Sequence, residues 1–250
     1  MYENVAAGAR ARLRYNITMT PTPPATANFF NQEMADAYDA RNKALAPISA
    51  NLHFLLRLVL ADLPAEARVL CVGVGTGAEI LSLATAFPGW SFVGVDPSAE
   101  MLAVGRRRLE EAGVMTRCEL VHGYVEDAPR EAFDAVVSLL VAHFIKREGR
   151  PAFYAAIHER LKPGGRFASA EISGDLDAPE FPAMLEDWKQ VQTLMGATPQ
   201  SLDKLGGMMR ETLGILPPSE TESLWRAAGF ATPIPFFQAF MIRGWHAVRG

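Results

Sequence analysis

The sequence predicts an α/β protein built on a mostly parallel sheet with helices on both faces. Short apolar, β-branched runs alternate with helical segments from residue 67 to residue 171, and repeated βα units of this kind give parallel strands joined by right-handed crossovers. Apolar residues make up 49% of the 250 residues, which is ample for a large core. The predicted strands are Arg68–Val72, Ser91–Val95, Arg117–His122, Ala135–Leu139 and Arg166–Glu171.

The first predicted strand ends in three closely spaced glycines, Gly73, Gly75 and Gly77. Glycines let backbone N–H groups approach a ligand because no Cβ stands in the way, and a helix N-terminus follows them. The second strand delivers Asp96 to its carboxyl end, where a carboxylate can accept both hydroxyls of a ribose. Together these features predict a site for an adenosine-containing cofactor.

Two classes of cofactor are compatible with this turn. Gly73-x-Gly75-x-x-Ala78 satisfies the dinucleotide pattern, with an acid at a suitable distance, and so allows an NAD-dependent oxidoreductase. The glycines themselves are spaced G-x-G-x-G, which is the spacing used by S-adenosylmethionine enzymes. The turn alone leaves both alternatives open.

Five motifs, in order from residue 67 to the C-terminus, resemble those of the class I S-adenosylmethionine-dependent methyltransferases. They read VLCVGVGTG, VGVDPSAEMLAVGRRRL, LVHGYVEDAP, FDAVVSLLVAHFI and HERLKPGGRFASAEI. The LKPGG turn is a specific marker of the segment before strand five, and dinucleotide dehydrogenases carry no such element there. The resemblance implies a Rossmann-like seven-stranded sheet that closes with an antiparallel strand 7, and it implies S-adenosylmethionine as cofactor.

The resemblance also implies which residues contact the cofactor at the carboxyl edge of the sheet. The three glycines are expected near its methionine moiety and Asp96 on its ribose. For Asp96 an N-cap role is the alternative, and for Met101 an ordinary core position. The remaining expected contacts are Pro97 and Met101 against the adenine, Tyr124 and the Val125 backbone along its edge, and the Leu139 backbone facing the cofactor.

Two positions depart from the family pattern. Cys71 stands where the first strand usually carries an acid, and Glu79, one turn further on, could supply a carboxylate or point to solvent. Tyr124 stands where an acid usually receives the adenine amino group, a bond that its hydroxyl accepts less strongly. These losses keep a non-catalytic relative of the fold open as an alternative.

Catalysis of methyl transfer needs mainly positioning, so few chemical residues are expected. His143 follows strand four at the expected mouth, and its unperturbed pKa of about 6.5 suits proton removal. Glu171, at the end of strand five, is a second candidate, while a structural role is the alternative for His143. No His/Cys/Asp cluster has metal-ligand spacing, which predicts no metal.

The chain is expected to comprise a flexible tail, 1–27, and a single methyltransferase domain, 28–250. By resemblance, helices in 28–63 cover the methyl-donor site, and a helical insertion, 173–218, covers the substrate. The alternative for the insertion is a helical pair that completes the core or forms a dimer face. The helices expected are Asn31–Ala44, Ile48–Leu60, Glu180–Met195, Ser201–Leu213 and one to Ala228, opened by a Ser219/Glu222 capping box and ended by Gly229.

Within the family, the layout is similar to that of the carboxy-S-adenosylmethionine synthases that serve tRNA wobble-uridine modification. The similarity lies in the N-terminal helices and in the segments DWKQ…MMRETLG and SETESLWRAAGF. The synthases' carboxylate-binding arginine falls on Gly206 here, their tyrosine on Ser49 and their asparagine on Leu139. These differences favour ordinary S-adenosylmethionine, with carboxy-donor chemistry as the alternative.

Composition and net charge restrict the kinds of partner and the location that we expect for the protein. A net charge of −4 gives no general attraction to nucleic acid, and two cysteines suit a reducing cytoplasm. No apolar run reaches the roughly 18–20 residues needed to span a bilayer, and no signal peptide is apparent. The sequence therefore predicts a cytoplasmic methyltransferase that acts on a small or medium-sized molecule, with a homodimer as a possible assembly.

Overall fold

The computed structural model describes residues 43–250, which form a seven-stranded sheet with helices on both faces. Its strands follow one another as β3-β2-β1-β4-β5-β7-β6, and only β7 runs antiparallel to its neighbours. This order confirms the predicted Rossmann-like sheet with its antiparallel strand 7. The strands are β1 (Arg68–Val72), β2 (Ser91–Asp96), β3 (Cys118–His122), β4 (Phe133–Leu139), β5 (Leu161–Ile172), β6 (Ile234–Ala239) and β7 (Ile242–Val248).

The helices lie between and after these strands. Within residues 43–250, none is long and apolar enough to cross a membrane. The predicted tail and nearly all of the first predicted helix, Asn31–Ala44, lie outside the described residues. The helices are α1 (Ala46–Val59), α2 (Ala78–Ala86), α3 (Ala99–Glu111), α4 (Arg150–Arg160), α5 (Phe181–Leu194), α6 (Pro199–Asp203), α7 (Leu205–Glu211) and α8 (Pro218–Ala227).

Side-chain alternation along the central strands feeds two apolar clusters, one on each face of the sheet. In β1, Val69 and Cys71 join a cluster with α1, α2 and α3, whereas Leu70 and Val72 join one with α4 and α8. Fully burying such a side chain stabilises the fold by about 1.5–3 kcal/mol. Because both faces are covered, the strands read as continuous apolar runs in the sequence.

A third apolar cluster covers the carboxyl edge of β4 and β5. Trp188 of α5 and Met209 of α7 pack there with Leu52 of α1. Leu139 and Ile172, at the strand ends, pack against the same cluster. The helices of residues 173–218 therefore lie over the edge of the sheet where ligands bind in folds of this type.

The two ends of this insertion are tied to each other and to the loop after β4. The Gly174 N–H donates to the Leu216 carbonyl (3.0 Å), which also accepts a bond from the Ser173 hydroxyl (2.8 Å). The Gly214 N–H donates to the His143 carbonyl (2.7 Å). These hydrogen bonds hold the base of the insertion against the carboxyl edge of the sheet.

One helix predicted in the insertion is two short helices. The prediction Ser201–Leu213 was wrong because α6 begins earlier, at Pro199, where the Thr198 hydroxyl accepts the Ser201 N–H (3.2 Å). The helix axis then breaks at Lys204, and α7 starts with Leu205. The adjacent helix α5 matches its prediction, Glu180–Met195, to within one residue at each end.

The start of α8 also differs from its prediction. The helix begins at Pro218, a favoured first helical residue, and no side chain caps it, so the Ser219/Glu222 capping box does not form. Glu222 instead accepts bonds from Trp245 Nε1 (3.3 Å) and Arg226 (3.1 Å). The predicted C-terminal glycine is confirmed, since Gly229 follows the helix with a φ of +98°.

Two strands begin at different residues from those predicted. β5 starts at Leu161, and the LKPGG segment forms its irregular first part, with Gly164 at a φ of +74° and a register shift against β4. β3 starts one residue later than predicted because Arg117 ends a short 3₁₀ turn, Met115–Arg117, and its guanidinium donates to carbonyls in and after α2. Those carbonyls belong to Ala84 (2.8 Å), Phe87 (3.1 Å) and Trp90 (2.8 Å).

Candidate active site

The turn after β1 is held in a conformation that requires glycine. Gly73, Gly75 and Gly77 have φ values of +68°, +51° and +77°, in the left-handed region. A Cβ on Gly73 would lie 2.3 Å from Val141 Cγ2, so any other residue would clash with that side chain unless it moved. The Gly73 N–H donates to the Val95 carbonyl (2.7 Å), which fixes the turn beside the end of β2.

Asp96 links this turn to the next helix through its two carboxylate oxygens. Oδ2 accepts the Gly75 N–H (2.8 Å) and Oδ1 accepts the Ser98 N–H (2.9 Å). The side chain is 8% exposed, and burial raises the pKa of Asp96 against the opposing effect of the two backbone donors. The N-cap of α3 is Ser98, whose hydroxyl accepts the Met101 N–H (3.1 Å), so the N-cap alternative for Asp96 was wrong.

The residues expected at the adenine stand at the carboxyl ends of β2 and β3. Met101 is buried, and its terminal methyl lies 3.2 Å from the position of a Cβ on Gly75. The Pro97 carbonyl lies 3.0 Å from His122 Nε2. Tyr124 donates its N–H to Asp127 Oδ2 (2.8 Å), and Val125 is buried beside it. The structure therefore brings these predicted residues to one edge together with the glycine turn.

The residue after Leu139 has a backbone conformation that sequence reasoning missed. Leu139 ends β4, and Leu140 has a φ of +58°, which costs a side-chain-bearing residue on the order of 1–3 kcal/mol. The Leu140 N–H donates to the Ala170 carbonyl (2.6 Å), which holds this conformation in place. No local sequence signal marks it, since leucine is not a residue favoured at positive φ.

His143 lies inside the loop after β4 and is only 4% exposed. Its Nδ1 accepts the Ile172 N–H (3.3 Å), which requires the unprotonated form of that nitrogen. Burial, together with the positive charge of Arg150, lowers the pKa of His143 to about 3. The imidazole is therefore neutral at physiological pH and a weak base, and its catalytic role stays a prediction.

Glu171, the second predicted catalytic residue, is buried in an ion pair. Its Oε2 lies 2.7 Å from Nη2 of Arg150, and its Oε1 accepts the Thr221 hydroxyl (3.1 Å). Arg150 is 0% exposed and also donates to Tyr154 Oη (2.7 Å). Oε1 is thus hydrogen-bonded, whereas Oε2 is in an ion pair without hydrogen-bond geometry. Sequence reasoning did not single out Arg150 as the partner.

Acidification is expected to destabilise the protein through His143. The unfolded chain binds a proton below a pKa of about 6.5, while the folded pKa is about 3, so stability falls as the pH drops through this window. From pH 7 to pH 5 the loss is about 2 kcal/mol. In His143→Gln, urea unfolding should show a loss of stability between pH 7 and pH 5 that is smaller than in the native protein by about 2 kcal/mol. An unchanged difference between the two pH values in this variant would contradict the burial of a neutral imidazole.

The geometry fits S-adenosylmethionine. A Cβ on Gly73 would clash with Val141, Asp96 stands at the end of β2 where the ribose is expected, and the apolar side chain of Met101 lies beside the turn. Among residues 43–250, no three His, Cys, Asp or Glu side chains lie together in a way that could hold a metal ion.

Comparison with known proteins agrees with this fold. Residues 69–165 match the family described as methyltransferase domain. Demethylmenaquinone methyltransferase of Clavibacter sepedonicus is 33% identical over 212 residues, which cover 80% of this chain and 80% of the relative. Carboxy-S-adenosyl-L-methionine synthase of Dichelobacter nodosus is 23% identical over 226 residues, covering 88% of this chain and 92% of the relative.

Solved structures share the fold at low sequence identity. An O-methyltransferase family protein from Burkholderia thailandensis superposes with a TM-score of 0.65 at 16% identity, over 89% of this chain and 61% of that one. The S-adenosylmethionine-dependent methyltransferase SibL gives 0.60 at 19% identity, over 80% of this chain and 54% of its own. The chain thus spans little more than half the length of these two proteins.

The fold and the glycine turn define the class: an α/β enzyme that binds an adenosine-containing cofactor at the carboxyl edge of its sheet. The chain belongs to the class I S-adenosylmethionine-dependent methyltransferases, and S-adenosylmethionine is its cofactor.

Proposed function

We propose that the enzyme transfers a methyl group to a small, largely apolar molecule. The observation that carries this proposal is the third apolar cluster, which the insertion forms over the ends of β4 and β5. Leu139, Leu140 and Ile172 from the sheet edge pack against it, so an acceptor at this edge would meet mainly apolar side chains. Relatives named demethylmenaquinone methyltransferase and ubiquinone biosynthesis O-methyltransferase support an acceptor of this kind.

The protein's contribution to the reaction is positioning. When bound, the cofactor would supply a reactive methyl group on a sulfonium for in-line transfer to the acceptor, with S-adenosylhomocysteine as the leaving group. The glycine turn and Asp96 would fix the donor, and the cluster would fix the acceptor and exclude water. Such orientation contributes roughly 7–11 kcal/mol to lowering the barrier. The weakly basic His143 and the ion-paired Glu171 fit a reaction in which the acceptor brings its own nucleophile.

Methyl transfer to demethylmenaquinone with a short prenyl tail, reduced before the assay, tests the proposal directly. Product formation from S-adenosylmethionine would be followed by mass spectrometry, with catechol as a smaller, more polar single-ring acceptor for comparison. We expect transfer to the tailed acceptor and much less to catechol. Transfer to catechol alone, or to neither acceptor by a protein that binds the donor, would contradict an apolar acceptor.

Carboxy-donor chemistry remains the second candidate because the synthase relative covers nearly the whole chain. In the structure, Gly206 stands on α7, where a Cβ would lie 3.0 Å from Leu185 Cδ2, and it carries no charge. Arg210, one turn further on, pairs with Asp177 (2.7 Å) and packs over the Phe181 ring. Competition binding decides the matter: we expect S-adenosylmethionine to bind more tightly than its carboxylated form, and the reverse order would favour the synthase reaction.

The remaining sequence expectations concern organisation and partners. A single domain over 28–250, a homodimer, a cytoplasmic location and the lack of a nucleic-acid partner stay predictions.

A further inference from the structure

The methionine end of the cofactor carries an ammonium group, and the first strand offers no acid to receive it. Cys71 is fully buried, and it faces the apolar cluster of α1, α2 and α3. A neutral thiol there cannot pair with a cation, and burial raises the pKa of Cys71, so the thiol stays protonated. A carboxylate that pairs with this ammonium group would have to come from another residue.

Glu79 is a buried carboxyl group close to the glycine turn. It is the second residue of α2, two positions after Gly77, and it is 6% exposed, so it does not point to solvent. Its charge acts on Cys71 at the end of β1, and it interacts electrostatically with Asp96 at the end of β2. Glu79 is therefore a buried carboxyl group beside the turn, near enough to β1 and β2 for its charge to act on Cys71 and Asp96.

We propose that Glu79 binds the α-ammonium group of S-adenosylmethionine, so that α2 supplies the carboxylate missing from β1. The inference rests on the cofactor assignment and is independent of the methyl acceptor. Buried acids are rare unless they are paired. The charges that act on Glu79 are those of the acidic Asp96 and the basic Arg108. A bound cation would pair with Glu79 and so favour the ionised form of this buried acid.

The charges around Glu79 give the proposal a measurable consequence. Burial and the charge of Asp96 raise the pKa of Glu79 to about 8, while its own backbone N–H and Arg108 on α3 oppose the rise. Cys71 on β1 faces it as a neutral group, and the titratable residues of α1, which packs on α2, are His53 and Arg57. At pH 7 the free protein therefore holds Glu79 protonated, and a bound ammonium would favour its ionised form. Binding should release a proton.

Calorimetric titration in buffers of different ionisation enthalpy measures this release. With S-adenosylhomocysteine at pH 7, we expect release of up to one proton by the native protein and much less by Glu79→Gln. The same variant should bind S-adenosylhomocysteine about 10- to 100-fold more weakly, the loss of one charge-assisted bond. It should bind 5′-methylthioadenosine, which lacks the ammonium group, as tightly as the native protein does. Glu110→Gln, at an exposed site on α3, is the matched control.

Each other outcome is informative. Equal weakening of both ligands in Glu79→Gln, or the same proton release as in the native protein, would overturn the role of Glu79. Absence of proton release by the native protein would overturn it without any variant. Failure of the native protein to bind either ligand would instead overturn the cofactor site itself. Glutamine matches the protonated carboxyl in shape, and a thermal unfolding curve for each variant verifies the fold.

Discussion

Replacing Arg150 with methionine is expected to lower the free energy of unfolding by about 3–5 kcal/mol, a large part of the stability of a domain. The guanidinium is 0% exposed and lies 2.7 Å from the Glu171 carboxylate. Methionine fills much of the same volume but leaves Glu171 as a buried charge without its partner. The cost of that uncompensated charge, more than the lost contact, sets the size of the effect.

Arg150 also joins parts of the site that are far apart in sequence. Its Nε donates to the Ile145 carbonyl (3.0 Å) and Nη2 to the Gly214 carbonyl (2.8 Å). The side chain thereby connects the loop after β4, the end of β5 and the base of the insertion. Loss of Arg150 should loosen the insertion as well as destabilise the core, which hydrogen exchange around Gly214 would detect.

Denaturant unfolding of three variants separates the causes. Arg147→Met removes an exposed arginine and should change the stability little. Arg150→Met combined with Glu171→Leu removes both charges and should recover most of the lost stability, because apolar pairs often replace buried ion pairs without cost. If the double variant is as unstable as Arg150→Met alone, the buried charge is not the cause. In either case, the methyl-transfer rate of the double variant would also test the predicted catalytic role of Glu171.

The central strands could be predicted from the sequence because strands that are buried on both faces appear as continuous apolar runs. β1 was predicted to the residue, and β2 and β4 to within two residues at either end. The boundaries that failed depend on single local contacts: the Thr198 cap started α6 early, and Pro218 replaced the expected capping box. Several neighbouring residues can start a helix with nearly equal stability, so hydrophobic periodicity alone does not predict which of them is the first residue.

The site was predictable where backbone geometry demands a residue type, and not where distant residues meet. The glycine turn and Asp96 could be read from spacing, because positive φ and a strand-end carboxylate have local signatures. The pairing of Arg150 with Glu171 has none, since it depends on how α4 packs against β5. The buried state of Glu79 and the left-handed backbone of Leu140 likewise arise from tertiary packing.

Replacing Asp96 with alanine is expected to weaken binding of S-adenosylhomocysteine by about 100-fold or more. The variant lacks the carboxylate that we expect to accept charge-assisted bonds from both ribose hydroxyls. Loss of the carboxylate would also release the Gly75 and Ser98 N–H groups that it now holds at 2.8 and 2.9 Å, so the turn itself would lose its shape. Both effects act on the cofactor, and they should add to a loss larger than that of any other single carboxylate.

Asp134 provides a matched control for this loss. It is also a buried carboxylate and likewise accepts a backbone N–H, that of Arg68 (2.9 Å), but it stands at the start of β4, on the opposite edge of the sheet. Asp134→Ala should lower the free energy of unfolding yet leave the affinity for S-adenosylhomocysteine unchanged, whereas Asp96→Ala should change both. Equal affinity in the two variants would mean that the ribose is not held at the end of β2. An intact stability with lost affinity in Asp96→Ala would show that the ribose contact alone, without the shape of the turn, accounts for binding.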